Sequence, residues 1–311
     1  MTDHQLVLSD LTGLLGARLF VNGDAEFDRR RSLFNAMIDR CPLAIAACEL
    51  TSDVAAVVRI AGKHGIGLSI KGGGHGISGN AVAEGAIMID LEGMTQLDID
   101  PDRQIVQAGP GLRLGAFVTG CEALGFVSPT GTVSDTGIAG LTLGAGFGYL
   151  NGTYGLAIDN LVGAELVTAA GDVLEVNDTS HPDLMWALRG GGGNFGVVTR
   201  FDLRVYPGTE VLGGMVLYPW PVARDLLRLY RDTCATAPDE LIMYAACLTA
   251  PDGNKAVGVI ACWRGDLAQG QEVLAPIRAF GPPIVDLIEP CAYSRMNTLV
   301  DEAVPPRLRY Y

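Results

Sequence analysis

The chain has 311 residues, 49% of them hydrophobic, and a formal net charge of −13 from 35 acidic and 22 basic residues. This is enough chain and apolar content for about two folded domains, and the negative field argues against nucleic acid and anionic lipid surfaces as partners. Met1–Leu15 lacks a basic stretch followed by an apolar run, and no long uncharged segment suits a membrane span, so we expect a cytoplasmic protein without membrane contact.

The first two thirds of the chain mix helical and strand patterns. Thr51–His64 is predicted to be a helix, because Val54, Val57 and Val58 recur at helical spacing, with Thr51 as its expected cap. A short buried strand, Ile66–Ile70, follows. Further strands are predicted at Ala86–Leu91, Ile105–Ala108, Leu161–Thr168 and Val173–Glu175, and further helices at Leu114–Leu124 and Pro182–Leu188.

The last third has the pattern of a sheet with helices on one face. A strand at Val211–Leu217 precedes a helix at Val222–Thr233, and two strands, Leu241–Leu248 and Ala256–Trp263, flank a turn at Pro251–Asn254. The predicted class of the whole chain is α+β.

The densest motif is Lys71–Asn80, with the sequence KGGGHGISGN, directly after a predicted strand. Successive glycines let backbone N–H groups converge on an anion, as in phosphate-binding loops. The glycine spacing matches neither the G-x-x-x-x-G-K-[ST] motif of P-loops nor the G-x-G-x-x-G motif of dinucleotide-binding folds. Taken alone, this cluster could also be a structural turn.

Two further glycine clusters follow, at Gly137–Gly148 and Arg189–Gly196. The first alternates small and apolar residues, which suits close packing against a large flat ligand or against other parts of the protein. Three glycine loops together suggest an extended ligand that is contacted along its length. The competing interpretation is a domain that binds no cofactor and uses its glycines for close packing of one backbone segment on another.

His75 is the histidine that lies within these loops. A histidine beside glycines can be an ordinary hydrogen-bonded residue, but a neutral imidazole is also a nucleophile that could add to an electrophilic cofactor carbon. The residues themselves therefore indicate a large, phosphate-containing cofactor and leave its identity open.

The seven cysteines are scattered, odd in number and without a C-x-x-C pair, which disfavours both a disulfide framework and a structural zinc site. We expect buried reduced thiols and no metal site.

Four stretches together resemble the FAD-binding domain of the berberine bridge enzyme-like oxidoreductases, in the vanillyl-alcohol oxidase superfamily with its PCMH-type fold. They are Ser69–His75, Thr136–Gly144, Tyr154–Leu161 and Trp186–Thr199. The resemblance implies an N-terminal segment at 1–29, a two-subdomain FAD-binding domain at 30–208, and a partial substrate domain at 209–311 built as an antiparallel sheet with helices on one face.

The resemblance also implies the cofactor and its site. His75 would be joined to the 8α-methyl of FAD, with Gly72–Gly76 at the pyrophosphate. Many relatives add a cysteine link to the flavin, but Val133 stands at that position and the surroundings of Cys121 do not match, so a single covalent link is expected. The predicted cofactor-binding residues are Lys71, Gly72, Gly73, Gly74, His75, Gly76, Asn80, Thr136, Gly137, Gly140, Gly144, Asp159, Asn160, Gly193 and Val198.

The implied activity is hydride transfer from a sugar, alcohol or phenolic substrate to FAD, with O2 or another acceptor reoxidising the cofactor. Family members usually run further than this chain, so it looks truncated, and a non-catalytic flavin-binding remnant is the alternative. No catalytic base is assigned, because four candidate phenols are expected to pack or hydrogen-bond: Tyr149, Tyr154, Tyr244 and Tyr293. A shortened sheet could also pair with another copy in a homo-oligomer.

Overall fold

A computed structural model of the protein describes residues 3–249 and 253–311. Its first sheet has the strand order β1-β2-β4-β3, in which β2, β4 and β3 run parallel and β1 is antiparallel to β2. The elements of this part are α1 (Asp3–Leu15), β1 (Leu19–Phe20), α2 (Phe27–Arg31), β2 (Ala44–Ala47), α3 (Thr51–His64), β3 (Leu68–Lys71) and β4 (Ile87–Asp90).

Helices α1 and α3 cover one face of this sheet. Val7 and Leu11 of α1 are fully buried in one apolar cluster with Val54 and Val57 of α3. The sequence pattern had not predicted α1. Because it shares a core with α3, the start of the chain helps to fix the sheet that carries the first glycine loop.

The predicted helix at Thr51–His64 is confirmed, but its start is stabilised differently from the expectation. The Thr51 hydroxyl donates to the carboxylate of Glu165 instead of capping the helix. Asp53 takes the capping role, since its carboxylate accepts the backbone N–H groups of Glu49 and Leu50. Gly65, at φ +64°, ends the helix in the left-handed conformation that glycine adopts at little cost.

The second sheet has five antiparallel strands in the order β5-β6-β10-β8-β9, and two short strands, β7 and β11, pair beside it. Helices α4, α5 and α7 pack on its core, which includes Phe117, Met185 and Phe201. The elements are β5 (Leu97–Asp100), β6 (Ile105–Ala108), α4 (Leu114–Glu122), β7 (Phe126–Val127), α5 (Ile138–Gly144), α6 (Asn151–Tyr154), β8 (Leu161–Val167), β9 (Val173–Asn177), α7 (Pro182–Leu188), β10 (Val197–Arg204) and β11 (Tyr206–Pro207).

The third sheet is antiparallel, with the order β13-β14-β12-β15 and β16 also paired to β12. Its elements are β12 (Glu210–Pro219), α8 (Ala223–Cys234), β13 (Leu241–Thr249), β14 (Lys255–Trp263), α9 (Leu267–Arg278), β15 (Val285–Asp286), β16 (Glu289–Ala292) and α10 (Tyr293–Thr298).

Alternate side chains of β14 point to opposite faces of this sheet, as strand geometry requires. Val259 and Trp263 pack with Leu226 of α8 and Leu274 of α9, whereas Ile260 and Cys262 join the core of the second sheet. The α+β class is therefore confirmed, and α8 and α9 lie together on one face of the sheet, while Tyr293 and Met296 of α10 join the core on the other. Part of the predicted turn at Pro251–Asn254 lies outside the described residues.

Among the described residues, no helix combines the length and the apolar composition that crossing a membrane requires. All seven cysteines are free. Cys48, Cys121 and Cys262 are buried, and burial raises the pKa of each of these thiols. Cys234 and Cys247, both in the last third of the chain, are exposed.

Candidate cofactor site

A cleft of about 790 Å³ lies where the end of β3 meets the start of α5 and the start of β10. Each of the three glycine clusters lines a different part of the cleft. The lining residues are Leu68, Ser69, Ile70, Gly72, Gly73, Gly74, His75, Gly76, Ser78, Asn80, Ala81, Leu91, Thr136, Gly137, Ala139, Gly140, Leu141, Leu143, Gly192, Gly193, Asn194, Gly196, Val197 and Val198.

The cleft brings together most of the residues that the sequence singles out. Those in its lining are Gly72, Gly73, Gly74, His75, Gly76, Asn80, Thr136, Gly137, Gly140, Gly193 and Val198. Four others, Lys71, Gly144, Asp159 and Asn160, lie outside the lining. The apolar part of the lining, which includes Ile70 and Leu141, was not predicted, although both residues belong to the recognised motifs.

Lys71 is buried beneath the first loop, with 4% of its surface exposed. Its ammonium donates to the backbone carbonyl of Arg30 at 2.7 Å, and burial lowers its pKa while the charges of Asp90 and Glu92 oppose that shift. Arg30 in turn pairs with the fully buried Asp90 at 2.8 Å. In this structure Lys71 therefore ties the loop to helix α2.

Asp159 and Asn160 organise the turn between α6 and β8. The Asp159 carboxylate accepts the backbone N–H of Leu156 at 2.8 Å. The Asn160 amide donates to the carbonyls of Tyr154 and Leu156, and its oxygen accepts the Tyr206 hydroxyl at 2.7 Å. Both side chains therefore hold the turn itself, and neither they nor the turn backbone lies in the lining of the cleft.

The first and second glycine loops touch through their backbones. A Cβ added at Gly73 would lie 2.3 Å from the Gly137 Cα, and one added at Gly137 would lie 2.4 Å from the Gly73 Cα. Real Cβ atoms do not approach backbone this closely, so only glycine at both positions allows the contact. These two glycines therefore serve protein packing, one of the two roles that the sequence left open.

Other glycines of the loops face open space. A Cβ added at Gly76, Gly140 or Gly193 would meet no protein atom within 4 Å. All three positions line the cleft. Their backbone is therefore accessible to a ligand, which is the second role that the sequence left open.

Arg113 holds the first and second glycine loops together, and it was not among the predicted site residues. Its guanidinium donates to the carbonyls of Gly73 and Asp135, each at 2.6 Å. The backbone on either side of it pairs with the second loop, through Leu114 N–H to the Thr136 carbonyl and Ile138 N–H to the Leu112 carbonyl. Nothing in its local sequence marks it, because both contacts are long-range.

His75 presents the reactive group of the cleft. Its Nε2 is buried and has no hydrogen-bond partner within the described part of the chain. Burial, with a smaller effect of Arg113, lowers its pKa from the usual 6.5, while Asp135 opposes that shift. The lowered pKa favours the neutral imidazole, whose unprotonated ring nitrogen is a nucleophile. The buried Ser69 hydroxyl, also in the lining, likewise has no partner among the described residues.

The four phenols are packed as expected. Tyr149 and Tyr293 are at most 1% exposed, and burial raises the pKa of each. Tyr244 donates to the Gly148 carbonyl at 2.8 Å, and burial raises its pKa to about 12. Tyr154 stacks on Tyr206 with 3.8 Å between ring centroids. None of the four lines the cleft.

The alternative thiol link is not supported by the position of Cys121. This residue is 1% exposed in the core beneath the second sheet, and burial raises the pKa of its thiol to about 12. It does not line the cleft, and neither does Val133.

Comparison with known proteins identifies the domain. The sequence profile of the FAD binding domain matches residues 42–177. (R)-6-hydroxynicotine oxidase of Paenarthrobacter nicotinovorans is 33% identical over 281 residues, which cover 89% of this chain and 61% of that protein. The structure of BBE-like 1 from Physcomitrella patens is 25% identical with a TM-score of 0.85, over 98% of this chain and 65% of the other.

A carbohydrate oxidase from Microdochium nivale, solved in complex with a substrate analogue, is 25% identical with a TM-score of 0.83, over 97% of this chain and 66% of the other. The matched domain and the fold define a FAD-binding flavoprotein. More narrowly, the chain is similar to FAD-linked oxidoreductases and to a BBE-like protein. It spans less than two thirds of the length of these relatives.

The residues of the cleft fit this cofactor. The unpartnered Nε2 of His75, the unpartnered hydroxyl of Ser69 and the open backbone at Gly140 and Gly193 offer polar atoms and room to a large polar ligand. The apolar part of the lining suits a flat ring system. Bound FAD would supply two-electron redox chemistry, which side chains alone do not offer.

Proposed function

We propose that this chain is part of an oxidoreductase that takes a hydride from a sugar, alcohol or phenolic substrate and holds its FAD through one covalent bond at His75. The acceptor that completes the cycle is O2 or another oxidant. The reaction type is supported by the similarity to FAD-linked oxidoreductases, and the substrate class by the resemblance and by the carbohydrate oxidase neighbour.

The unpartnered Nε2 of His75 is the observation that carries the covalent bond. A polar side-chain atom that is buried without a hydrogen bond costs free energy, so its retention in a cofactor cleft favours a functional role. The lowered pKa favours the neutral imidazole at neutral pH, and the tautomer with its proton on Nδ1 would present Nε2 as the nucleophile. Gly72–Gly76 would lie along the pyrophosphate, since the first loop offers backbone there in place of side chains.

Forming this bond is an oxidation. With FAD bound, the imidazole of His75 would exchange its N–H, and the 8α-methyl one C–H, for the new N–C bond, and the two electrons and two protons released would need an acceptor. Molecular oxygen can accept both and become hydrogen peroxide. His75 would supply the nucleophilic nitrogen.

Acid denaturation of the purified holoprotein, followed by mass spectrometry of the peptide that contains His75, tests the bond. We expect flavin to remain on this peptide in the wild type and to be released from the His75→Gln variant. Complete release from the wild type would show that the bond does not form, and FAD binding itself would then be read from the flavin recovered in the supernatant.

A second candidate is a flavoprotein that binds FAD without turnover. The packed state of Tyr149, Tyr154, Tyr244 and Tyr293 favours it, because none of them offers a phenol to the cleft. Anaerobic addition of alcohols, aldoses and phenols separates the two. Bleaching of the flavin absorbance by any of these compounds supports the oxidoreductase, and unchanged absorbance with the whole panel supports the binding protein.

The cellular setting belongs to the same proposal. Seven free cysteines suit the reducing cytoplasm, and separation of cell extract into soluble and exported fractions tests this location. The proposed small-molecule substrate and acceptor require no macromolecular partner, and size-exclusion chromatography with light scattering tests whether the chain forms a homo-oligomer.

A further inference from the structure

An aromatic stack stands behind His75. The rings of Phe34 and His75 are stacked at 3.8 Å between centroids with an interplanar angle of 23°. On its other face, Phe34 stacks on Tyr310 at 4.7 Å and 22°. Phe34 is 6% exposed, so it lies between two rings that are far apart in sequence.

The backbone fixes Phe34 relative to the first glycine loop. Its N–H donates to the carbonyl of Gly74, the residue before His75, at 3.0 Å. The Leu33 side chain lies 3.2 Å from where a Cβ on Gly74 would be, and Gly74 has φ +65°. The loop therefore turns tightly around the segment that carries Phe34, and the backbones of the two ring-bearing residues are held close together.

The segment 307–310 holds Phe34 from the other side. The Phe34 carbonyl accepts the Arg307 N–H at 2.8 Å, and the Ala36 N–H donates to the Leu308 carbonyl at 2.9 Å. Asn35, which is 2% exposed, donates to the carbonyls of Tyr310 and of Ile77 in the loop. Its side-chain oxygen accepts the Tyr310 N–H at 3.1 Å.

We propose that Phe34, backed by Tyr310, is a positioning residue for His75, and that its ring face sets the imidazole plane in which Nε2 meets the flavin. This inference rests on the proposed covalent bond. The imidazole has a hydrogen bond to its own backbone, whereas Nε2 makes none to the described residues. The stacked face of Phe34 therefore adds to that local contact in fixing the ring plane. Correct orientation of reacting atoms is a large part of the rate of such a step.

The test compares Phe34→Leu, Phe34→Tyr and wild type as the full 311-residue chain. Apoprotein is mixed with FAD, and total bound flavin and acid-stable flavin are followed over time. We expect Phe34→Leu to bind FAD but to form acid-stable flavin about tenfold more slowly, because leucine fills the space without a ring face. Phe34→Tyr keeps the face, and we expect it to attach flavin at the wild-type rate.

Equal attachment rates for Phe34→Leu and wild type would overturn the inference, since packing alone would then suffice. So would a slow Phe34→Tyr variant with normal thermal stability. Tyr310→Leu removes the ring behind Phe34, and we expect it to slow the formation of acid-stable flavin less than Phe34→Leu does. The melting temperature of each apoprotein separates loss of fold from loss of positioning.

Failure of the covalent bond itself would be seen in the wild type, which would then carry no acid-stable flavin. In that case the ring orientation is read directly, from nuclear Overhauser contacts between the imidazole and the aromatic ring at position 34. Their presence in wild type and Phe34→Tyr supports positioning, and their absence in wild type contradicts it.

Discussion

The cleft region (residues 68–76, 136–143 and 192–198) and the sheet region (residues 210–292) are held together by different means. In the cleft region the closest contact joins two glycine backbones, Gly73 and Gly137. In the sheet region large buried side chains, such as Trp263 and Tyr218, fill the space between strands and helices. In the cleft region the required glycines form motifs that indicate a site in the sequence. In the sheet region the apolar pattern indicates only strands and helices.

The largest expected effect comes from removing a side chain of the sheet region. Trp263 is 1% exposed, its Nε1 donates to the Asp266 carbonyl at 2.9 Å, and its ring packs against Gly270. We expect Trp263→Ala to lower the free energy of unfolding by about 3–5 kcal/mol. Urea denaturation followed by circular dichroism measures this change.

Trp220→Ala is the matched control, since this tryptophan is 42% exposed in the same region. We expect it to cost about 1 kcal/mol or less. Similar costs for the two variants would show that Trp263 is not the anchor of the sheet region. FAD titration of each variant, under conditions where it is folded, is expected to give the wild-type affinity.

Adding one methyl group in the cleft region is expected to have the next largest effect. Gly73→Ala would force a Cβ against the Gly137 backbone at 2.3 Å. We expect a loss of about 3 kcal/mol in the free energy of unfolding, together with weakened FAD binding, because the two loops must separate. Denaturant unfolding and flavin titration measure the two effects.

The control is Gly62→Ala, in helix α3, where an added Cβ meets no atom within 4 Å. Alanine is the better helix former, so we expect this variant to gain up to about 1 kcal/mol. If both substitutions were neutral, the contact between the glycine backbones would not constrain the cleft region as described.

A smaller effect is expected at the end of α5, where Ala145 has φ 148° and ψ −63°. This conformation is costly for a residue with a side chain. We therefore expect Ala145→Gly to raise the free energy of unfolding by about 1 kcal/mol. The same substitution at the exposed Ala116 of α4 should lower it by about 1 kcal/mol, and equal signs at the two positions would contradict the strain.

The smallest expected effect is a pH dependence that originates in the cleft region. Burial lowers the pKa of His75 from 6.5, so the unfolded chain binds a proton there at a higher pH than the folded chain does. Stability from this group is thus present above its unfolded pKa and is lost as pH falls from 6.5 through the lower folded pKa.

Chemical denaturation at about pH 7 and about pH 5.5 measures this loss in the apoprotein. We expect the wild type to lose more stability over this interval than His75→Gln, which cannot take up the proton. An identical loss in both would assign the acid sensitivity to other groups.

Much of the fold could be predicted because its elements carry local signals. Helix α3, strand β6 and helix α7 have the bounds that periodicity and turn residues indicated. The second glycine run was harder, since Ile138–Gly144 forms a helix although three of its flanking and internal positions are glycine. Packing of Ile138 and Leu143 into the core outweighs the low helix propensity of glycine there.

The sequence predicted most of the backbone positions that line the cleft, but not the side-chain contacts that hold these positions in place. The glycine motifs and His75 were recognised by their order along the chain. Arg113 and Phe34 were not, because each acts on the first loop from a distant part of the sequence. Lys71 shows the converse case, a motif residue whose ammonium turns away to the Arg30 carbonyl.

The distribution of the thiols gives each region its own optical signal. A maleimide dye reacts with accessible thiolates, so it should label Cys234 and Cys247 in the sheet region and spare the buried Cys48, Cys121 and Cys262. Flavin fluorescence would report on the cleft region at the same time. Two colours recorded during one unfolding experiment would then show whether the two regions come apart together or in sequence.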